Sequence, residues 1–345
     1  MNDSRQSPYF MPAEWNIHRG TLIAWPTNPE TWKGTEHQVQ EDMAVLASAI
    51  SQFEDVYIST KPLDDKQAIL QSVIHQGGHL SRIHFPPVSN NDCWMRDTGP
   101  NYVWSHSEKK NWAITNWGYN AWGGKYPPWD DDNQIKKRFA EWIGCPALLE
   151  PEMILEGGSI DVNGEEVLLT TKSCLLNPNR NPHLNQKSIE NKLRQYLGIR
   201  KIIWLEQGIA GDDTDGHIDD FARFVNPHII VCSHEEDPKD ENFEPLDEAY
   251  KQLLSETNLM GKPFHIVKLP MPEPKYFQDF RIPASYANFY FANQILVLPV
   301  FNDPKDKVAM EILTRLCPER KIIPVPGLTF VRGLGGVHCL TQQIY

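Results

Sequence analysis

The sequence predicts an α/β protein built from five repeated units around one axis, and three observations support that prediction. Short apolar runs alternate along the chain with segments of helical periodicity. Acidic motifs centred on Asp97, Glu156 and His217 recur roughly every 60 residues, which indicates repeated supersecondary units. A polar unit around Ala287 and the segment that contains Cys339 continue the series. We therefore expect motifs that are distant in the sequence to meet at one centre.

Individual elements follow from local patterns. Apolar or alternating runs predict strands at 21–25, 56–60, 113–117, 167–171, 201–205, 229–233, 295–300 and 321–325. Helical periodicity predicts helices over roughly 36–53, 65–77, 133–143, 186–197, 243–256 and 305–316. Gly144 and Gly198 are typical helix stop signals, and Asp303-Pro304 is a typical start signal.

Each repeated unit combines a polar motif, a turn and two strands. The clearest unit begins at Glu156 and turns at Asn163-Gly164, a dipeptide typical of hairpins. By the same plan we expect first strands at 217–225 and 285–291. The N-terminal strand at 21–25 would complete the fifth unit, so that residues 1–345 form a single domain. Regions 118–132 and 270–284 are expected to be long loops, either site walls or surface insertions.

Composition excludes several classes of protein. The chain has 45 acidic and 33 basic residues, a net charge of −12 that argues against nucleic-acid binding and favours a cationic ligand. No apolar run approaches the roughly 20 residues that span a bilayer, and the N-terminus lacks a signal-peptide core. Six scattered cysteines without a Cys-x-x-Cys pair predict a reduced, cytoplasmic protein with no membrane partner.

The recurring motifs predict hydrolysis of a guanidino group. Carboxylates of Asp97, Glu156 and Asp219 in one pocket would repel each other unless a cation paired with them, and a planar guanidinium does so by bidentate hydrogen bonds. Cys339, beside small glycines, would attack the central carbon as a thiolate. His217 would transfer protons, and its two-residue spacing from Asp219 predicts that both point to one face of a strand.

Every member also has a structural interpretation. Cys339 could be an ordinary buried cysteine. Asp97 could form an ion pair with the adjacent Arg96, Glu156 could shape a turn before two glycines, and His217 could cap a loop. Zinc is a further alternative, since His217, Asp219 and Cys339 carry zinc-ligand atoms. The absence of a short two-ligand Cys/His spacing disfavours the metal.

Motifs along nearly the whole chain resemble one known family. They are 11–15 (MPAEW), 91–100 (NDCWMRDTGP), 120–124 (NAWGG), 155–159 (LEGGS), 175–182 (LLNPNRNP), 211–217 (GDDTDGH), 285–290 (SYANFY) and 338–343 (HCLTQQ). In these stretches the chain is similar to the agmatine deiminases, of the bacterial-type peptidylarginine deiminase family within the guanidino-group-modifying superfamily.

The resemblance implies a five-bladed α/β propeller with pseudo-fivefold repeats around a central active site. It implies that Cys339 is the nucleophile and His217 the general acid/base. Side chains that hold or enclose the substrate would be Asp97, Glu156, Asp219 and, as a pocket wall, Trp94. The implied reaction converts agmatine and water to N-carbamoylputrescine and ammonia for putrescine synthesis, with no cofactor and no metal. Homodimers or higher homo-oligomers are implied as well.

One departure from the family pattern concerns substrate preference. The family usually has Gly-Gly-Gly-Asn-Ile before the His-Cys pair, whereas this chain has Gly336 in the place of the asparagine. The distal amine of agmatine needs an acidic partner, for which Asp213 is the selected candidate beside Asp212 and Asp215. These acids would disfavour the carboxylate of free arginine. The alternatives are deimination of peptidylarginine or another guanidino compound, and a non-catalytic polyamine-binding protein.

Overall fold

A computed structural model describes residues 7–106 and 112–345. The fold is mixed α/β. Its strands in this part of the chain are β1 (Tyr9–Phe10), β2 (Gly20–Ala24), β3 (Asp55–Ser59), β4 (Ile83–His84), β5 (Asn101–Ser105), β6 (Trp112–Thr115), β7 (Leu148–Leu149), β8 (Ile160–Val162), β9 (Val167–Thr171), β10 (Lys201–Leu205), β11 (Ala222–Asn226), β12 (Ile229–His234), β13 (His265–Pro270), β14 (Lys275–Phe277), β15 (Phe280–Ile282), β16 (Tyr290–Ala292), β17 (Ile295–Val300), β18 (Lys321–Pro326) and β19 (Gln342–Ile344).

Helices flank these strands. They are α1 (Glu36–Ser51), α2 (Lys66–His75), α3 (Met95–Thr98), α4 (Ala121–Gly124), α5 (Asp130–Ile143), α6 (Lys172–Leu175), α7 (Gln186–Leu197), α8 (Phe243–Ser255), α9 (Lys305–Leu316) and α10 (Leu328–Arg332). Short 3-10 turns lie at Leu80–Arg82, Gly157–Ser159 and Ile218–Asp220. Among the described residues no helix has the length and apolarity needed to cross a bilayer. Residues 1–6, part of the stretch used to exclude a signal peptide, lie outside the described ranges.

The strands form six separate sheets within the described ranges. Five of them share a pattern in which an antiparallel pair leads into a parallel pair. Their strand orders are β19-β2-β3-β4, β1-β5-β6-β7, β8-β9-β10, β11-β12-β13 and β16-β17-β18. The sixth sheet is the β14–β15 hairpin. The same pairing pattern thus recurs in five sheets. Gln342 of β19 pairs with Leu22 of β2, so the N-terminal strand lies in one sheet with the segment that follows Cys339.

Local sequence accounts for the helix limits. The Asn185 side chain accepts a hydrogen bond from the Ser188 backbone N–H and begins α7, and the left-handed Gly198 (φ 68°) ends it. Gly144 (φ 70°) ends α5 in the same way. All six predicted helices are confirmed with small boundary differences, the largest being that α5 begins at Asp130 and not at 133.

Two predicted first strands are wrong at their starts. Residues 217–220 form a 3-10 turn and its cap, and β11 begins only at Ala222. The His217 backbone N–H binds Asp212 Oδ2 (3.0 Å) and Thr214 Oγ1 (3.2 Å), so side chains take the place of a strand partner. Likewise β16 begins at Tyr290 and not at 285. His217 and Asp219 therefore do not share a strand face.

The two predicted loops also contain regular structure. Region 118–132 includes α4 and the start of α5, and region 270–284 includes the β14–β15 hairpin. The polar motifs themselves lie in turns just before strands, as Asp219 does before β11 and Glu156 before β8. This placement puts the chemistry-bearing side chains at the ends of strands and not along them.

Candidate active site

Gly158 marks the point where three predicted site residues converge. A Cβ atom built on Gly158 would lie 2.6 Å from His217 Nδ1, 2.9 Å from Asp97 Oδ1 and 3.1 Å from Asp219 Oδ2. The Gly158 backbone N–H donates to Asp97 Oδ1 at 2.9 Å. Glycine is required here because any side chain would displace the imidazole and the two carboxylates.

The remaining predicted residues join the same cluster. His217 Nδ1 lies 3.9 Å from Asp97 Oδ1 and 4.0 Å from Asp219 Oδ1. Cys339 Sγ lies 3.9 Å from Asp219 Oδ2. A Glu156 carboxylate oxygen lies within 4.8 Å of a His217 ring nitrogen. The structure thus brings together Asp97, Glu156, His217, Asp219 and Cys339, which are spread over more than two hundred residues of sequence.

Asp97 is held in place by an unusual backbone segment. The Trp122 indole N–H donates to Asp97 Oδ2 at 2.9 Å. Trp122 and the preceding Ala121 have left-handed backbone conformations (φ 54° and 51°), which non-glycine residues rarely adopt. Such strain is common at functional sites, and here it directs the indole at the carboxylate.

The two carboxylate oxygens of Glu156 differ in their hydrogen bonding. Its Oε1 accepts a hydrogen bond from Arg180 Nε at 2.6 Å, and the same guanidinium also pairs with Asp215. Glu156 Oε2 is buried and has no hydrogen-bond partner among the described residues. The ion pair with Arg180 therefore fixes the carboxylate while leaving one oxygen available.

Three buried polar atoms in the cluster lack protein partners. Two are carboxylate oxygens, Glu156 Oε2 and Asp219 Oδ1, and the third is the ring nitrogen His217 Nε2. A buried polar atom left unpaired costs about 1–3 kcal/mol, more when it is charged. The two carboxylate oxygens therefore suit a ligand that brings several N–H donors and a positive charge.

Cys339 is bound by a residue that the sequence analysis did not select. Asn288 Nδ2 donates to Cys339 Sγ at 3.1 Å, and Asn288 Oδ1 accepts from the backbone N–H of His338 at 2.8 Å. A Cβ atom at Gly336 would lie 2.4 Å from Asn288 Oδ1. Gly336, the departure from the family pattern, thus makes room for the amide that holds the thiol.

Burial and charge together set the ionisation of the site. Burial raises the pKa of the Cys339 thiol well above 9.0, and Asp219, Asp220 and Asp97 raise it further. This direction agrees with an acidic pocket. Burial opposes protonation of His217, yet the Asp97 carboxylate raises the pKa of its imidazole well above 6.5. At neutral pH the site therefore holds a thiol and an imidazolium.

A cavity of about 670 Å³ opens onto the cluster. Trp94, Asp97, Asp213 and Cys339 line it, as do Trp122 and parts of both regions that were predicted as loops. By contrast Glu156, His217 and Asp219 are not among its lining residues and are almost fully buried. The predicted residues therefore divide between the cavity wall and the layer beneath it.

Only one of the three candidate tail-binding acids faces the cavity. Asp213 lines it and accepts a hydrogen bond from the Tyr126 hydroxyl. Asp212 accepts from the backbone N–H groups of Thr214 and His217, and Asp215 pairs with Lys125 and Arg180. These internal bonds occupy Asp212 and Asp215.

Two groups of described residues place possible metal-ligand atoms within 4.8 Å of one another. The first set is Glu156, Cys174 and His217, and the second is Asp219, Asp220 and Cys339. The set considered from the sequence, with His217, Asp219 and Cys339, is not one of them. The Arg180 cation bonded to Glu156 disfavours a second cation in the first set. A site without metal stays a prediction.

Sequence reasoning missed Asn288, Trp122 and the pair Glu14 and His338. Each lies inside a motif that resembles the family, namely 285–290, 120–124, 11–15 and 338–343. Membership of a motif was the available signal. It could not reveal which atom each side chain contacts.

Comparisons with known proteins are consistent across the chain. A family model described as Porphyromonas-type peptidyl-arginine deiminase matches residues 10–344. An agmatine deiminase of Pseudomonas aeruginosa (strain LESB58) is 36% identical to this chain, and the match covers 98% of this chain and 96% of the length of that enzyme. Two solved structures are each 32% identical and cover 98% of this chain and 96% of theirs. One is the agmatine deiminase of Enterococcus faecalis (TM-score 0.88). The other is a cysteine-to-serine variant of the C. Jejuni agmatine deiminase with substrate bound (TM-score 0.87).

Proposed function

This chain belongs to the Porphyromonas-type peptidyl-arginine deiminase family, and from that premise we propose that it hydrolyses agmatine to N-carbamoylputrescine and ammonia. Full-length similarity to agmatine deiminases supports the substrate. The reaction belongs to putrescine synthesis, the pathway that the sequence resemblance implies.

The observation that carries the proposal is the pair of buried carboxylate oxygens without partners, on Glu156 and Asp219, beside the unpaired ring nitrogen of His217. A guanidinium presents five N–H donors in one plane and stays protonated in proteins, so it can satisfy both oxygens at once. The His217 nitrogen is then left to transfer a proton. We name Asp97, Glu156, His217 and Asp219 the guanidinium site.

Cys339 acts as the nucleophile. When the substrate binds, the thiol releases its proton to solvent. Its sulfur forms a bond to the central guanidinium carbon, the bond from that carbon to one amino nitrogen breaks, and ammonia leaves with a proton from His217. Water then attacks the amidino-thioether carbon, and His217 takes one proton from the water. The carbon–sulfur bond breaks, and the remaining hydroxyl proton passes to the sulfur to regenerate the thiol. That the C. Jejuni enzyme holds its substrate when a cysteine is replaced by serine supports a cysteine in the chemistry.

Ionisation of the thiol depends on the substrate. In the free enzyme the pKa of Cys339 is raised by burial and by the neighbouring carboxylates. A bound guanidinium supplies the missing positive charge, which favours the thiolate at the moment when it is needed. Asn288 donates to the sulfur at 3.1 Å and favours the same form.

Asp213 selects the distal amine. It lines the cavity together with Tyr126, whose hydroxyl donates to it. A carboxylate here attracts an ammonium group and repels the carboxylate of free arginine. Trp94 and Trp122 form walls of the same cavity and suit an apolar methylene chain.

The repeated sheets support a finer view of the architecture. We propose that residues 1–345 form one domain, a five-bladed α/β propeller with the guanidinium site at its centre. The pairing of β19 with β2 supports this because it joins the two ends of the chain.

All six cysteines are free, which supports a reducing compartment such as the cytoplasm. Assembly into a homodimer or larger homo-oligomer is also part of the proposal.

A panel of guanidino compounds tests the substrate. We expect ammonia release from agmatine to exceed release from free arginine and from a peptide with C-terminal arginine. The assay measures kcat/KM for each compound with the wild-type enzyme. Faster turnover of the peptide would favour a peptidylarginine deiminase, and binding of agmatine without ammonia release would favour a polyamine-binding protein.

A further inference from the structure

His338, the residue before Cys339, lies between two buried carboxylates. Its Nδ1 is 2.6 Å from Asp219 Oδ2, and its Nε2 is 2.6 Å from Glu14 Oε2. Both distances are those of short hydrogen bonds. The His338 ring thus bridges the carboxylates of Asp219 and Glu14 through its two nitrogens.

Glu14 is rigidly anchored at the far end of this chain of bonds. Its Oε2 also accepts from Arg96 Nη2 at 3.1 Å. Its Oε1 accepts from Arg223 Nη2 at 3.1 Å and from the Phe291 backbone N–H at 2.9 Å. Burial raises the pKa of Glu14, but His338, Arg223 and Arg96 outweigh it and hold the pKa well below 4.5. Glu14 is therefore a fixed carboxylate.

At the near end, the two carboxylate oxygens of Asp219 differ in their hydrogen bonding. Its Oδ2 is bound by His338, whereas its Oδ1 has no partner and lies 4.0 Å from His217 Nδ1. If Oδ2 were released, the carboxylate could rotate and pair with other donors. The bond to His338 thus decides which oxygen is presented to the site.

We infer that Glu14 and His338 are positioning residues, and that the sequence of hydrogen bonds Glu14–His338–Asp219 holds Asp219 Oδ2 and aims Asp219 Oδ1 at the guanidinium. Neither residue needs to touch the substrate. The inference rests on the proposed function, because it takes a guanidinium as the partner of Asp219.

The charged groups around His338 come from several elements. Carboxylates face it from the N-terminal segment (Glu14), the 3-10 turn (Asp219) and β8 (Asp161). Guanidiniums near this group of acids belong to Arg223 on β11 and Arg96 on α3, and the next residue is the thiol Cys339. Removing the negative charge of Glu14 leaves both arginines in place and weakens the hydrogen bond at His338 Nε2.

Histidine-selective nitrogen NMR tests the hydrogen bonds of His338 without any substrate. The ring-nitrogen signals of His338 are assigned by their loss in His338→Gln. In Glu14→Gln, measured at the same pH, these signals should shift because one nitrogen loses its carboxylate partner. Unchanged signals in Glu14→Gln would overturn the inference.

Kinetics on agmatine test the positioning role. Glu14→Gln should lower kcat/KM about 10- to 100-fold, the effect of losing one charge-assisted hydrogen bond. Glu14→Asp retains the charge and should recover most of the lost kcat/KM. Glu54→Gln is the matched control, since Glu54 is equally buried, lies 3.3 Å from His18 Nδ1 and does not contact the guanidinium site. It should leave kcat/KM close to the wild-type value.

The possible outcomes are distinguishable. A folded Glu14→Gln enzyme with the wild-type kcat/KM would contradict the positioning role. If Glu14→Gln does not fold, the NMR signals and the kcat/KM of Glu14→Asp still decide. A wild-type enzyme that releases ammonia from no guanidino compound would refute the proposed function, while the NMR comparison would still test the hydrogen bonds of His338.

Discussion

Two neighbouring clusters of buried charge differ in how their acceptors are paired. The first, the Glu14 cluster, consists of Glu14, Arg96, Arg223 and His338. The second is the guanidinium site. In the Glu14 cluster both carboxylate oxygens of Glu14 accept hydrogen bonds from cationic side chains. In the guanidinium site Glu156 and Asp219 each leave one buried carboxylate oxygen without a partner.

The difference separates charge used for folding from charge reserved for a ligand. A buried ion pair must satisfy its own hydrogen bonds, because desolvation of each ion costs several kcal/mol. Both oxygens of Glu14 meet that requirement within the protein. In that cluster Arg223 Nε has no hydrogen bond among the described residues, but it lies 3.3 Å from Asp161 Oδ1. The guanidinium site does not meet that requirement, and it tolerates the deficit because a cationic substrate can supply the missing donors. His338 joins the two clusters, since its ring contacts both Glu14 and Asp219.

The most severe test of the comparison removes the candidate nucleophile. Cys339→Ala should lower ammonia release from agmatine by at least about 10⁴-fold, the scale seen when a nucleophile is deleted. Cys317→Ala is the control, because Cys317 is equally free but follows α9, away from the site. Its turnover should stay close to that of the wild type. Wild-type ammonia release from Cys339→Ala would end the proposed mechanism.

A second test removes one negative charge from each cluster in turn. Glu156→Gln should lower kcat/KM about 100- to 1000-fold, because it removes a charge preorganised for the transition state, with little loss of stability since Arg180 keeps Asp215. Glu14→Gln should lose less activity but about 3 kcal/mol of unfolding free energy, because it takes the carboxylate partner from the buried Arg96 and leaves Arg223 with Asp161 alone.

Urea unfolding measures the stability of both variants, and agmatine kinetics measure their kcat/KM. Glu156→Gln is expected to be the more stable and the less active protein. The reverse order in either measurement would show that the division between the clusters is wrong.

A third test follows the ionisation of Cys339. Because its folded pKa is raised above 9.0, the thiol should react slowly with neutral iodoacetamide at neutral pH and faster as pH rises. Guanidinium ion, used as a cationic probe of the site, should shift this profile to lower pH. Labelling of Cys339→Ala gives the background from the half-buried Cys145. Identical profiles with and without the probe would contradict substrate-assisted ionisation.

The smallest expected effect concerns the cavity wall. Asp213→Asn should raise KM for agmatine about fivefold, as expected for a partly exposed ion pair, with kcat little changed. Butylguanidine, which lacks the distal amine, should be unaffected. Glu30→Gln is the matched control, since Glu30 is an exposed carboxylate that lines the same cavity. Equal effects of Asp213→Asn on both compounds would remove Asp213 from tail recognition.

Much of the fold followed from local patterns. Ile189, Leu193 and Leu197 recur at helical spacing and are buried on one face of α7, and Gly198 ends that helix as expected. The strand at 217–225 was placed wrongly for an equally local reason. Side chains of Asp212 and Thr214 bind the His217 backbone and form a turn, which alternation of apolar residues does not reveal.

The sequence by itself determined the helices and most strands and indicated candidate residues for a guanidino group, because periodicity, caps and chemical type are local properties. Only the tertiary structure decided which oxygen of each carboxylate is bound and which is free. Glu14 and His338 are 324 residues apart, yet their side chains lie 2.6 Å apart, and the His338 ring also lies 2.6 Å from Asp219 Oδ2. Such pairing depends on how distant segments pack, and so the electrostatics of the site arise from the fold.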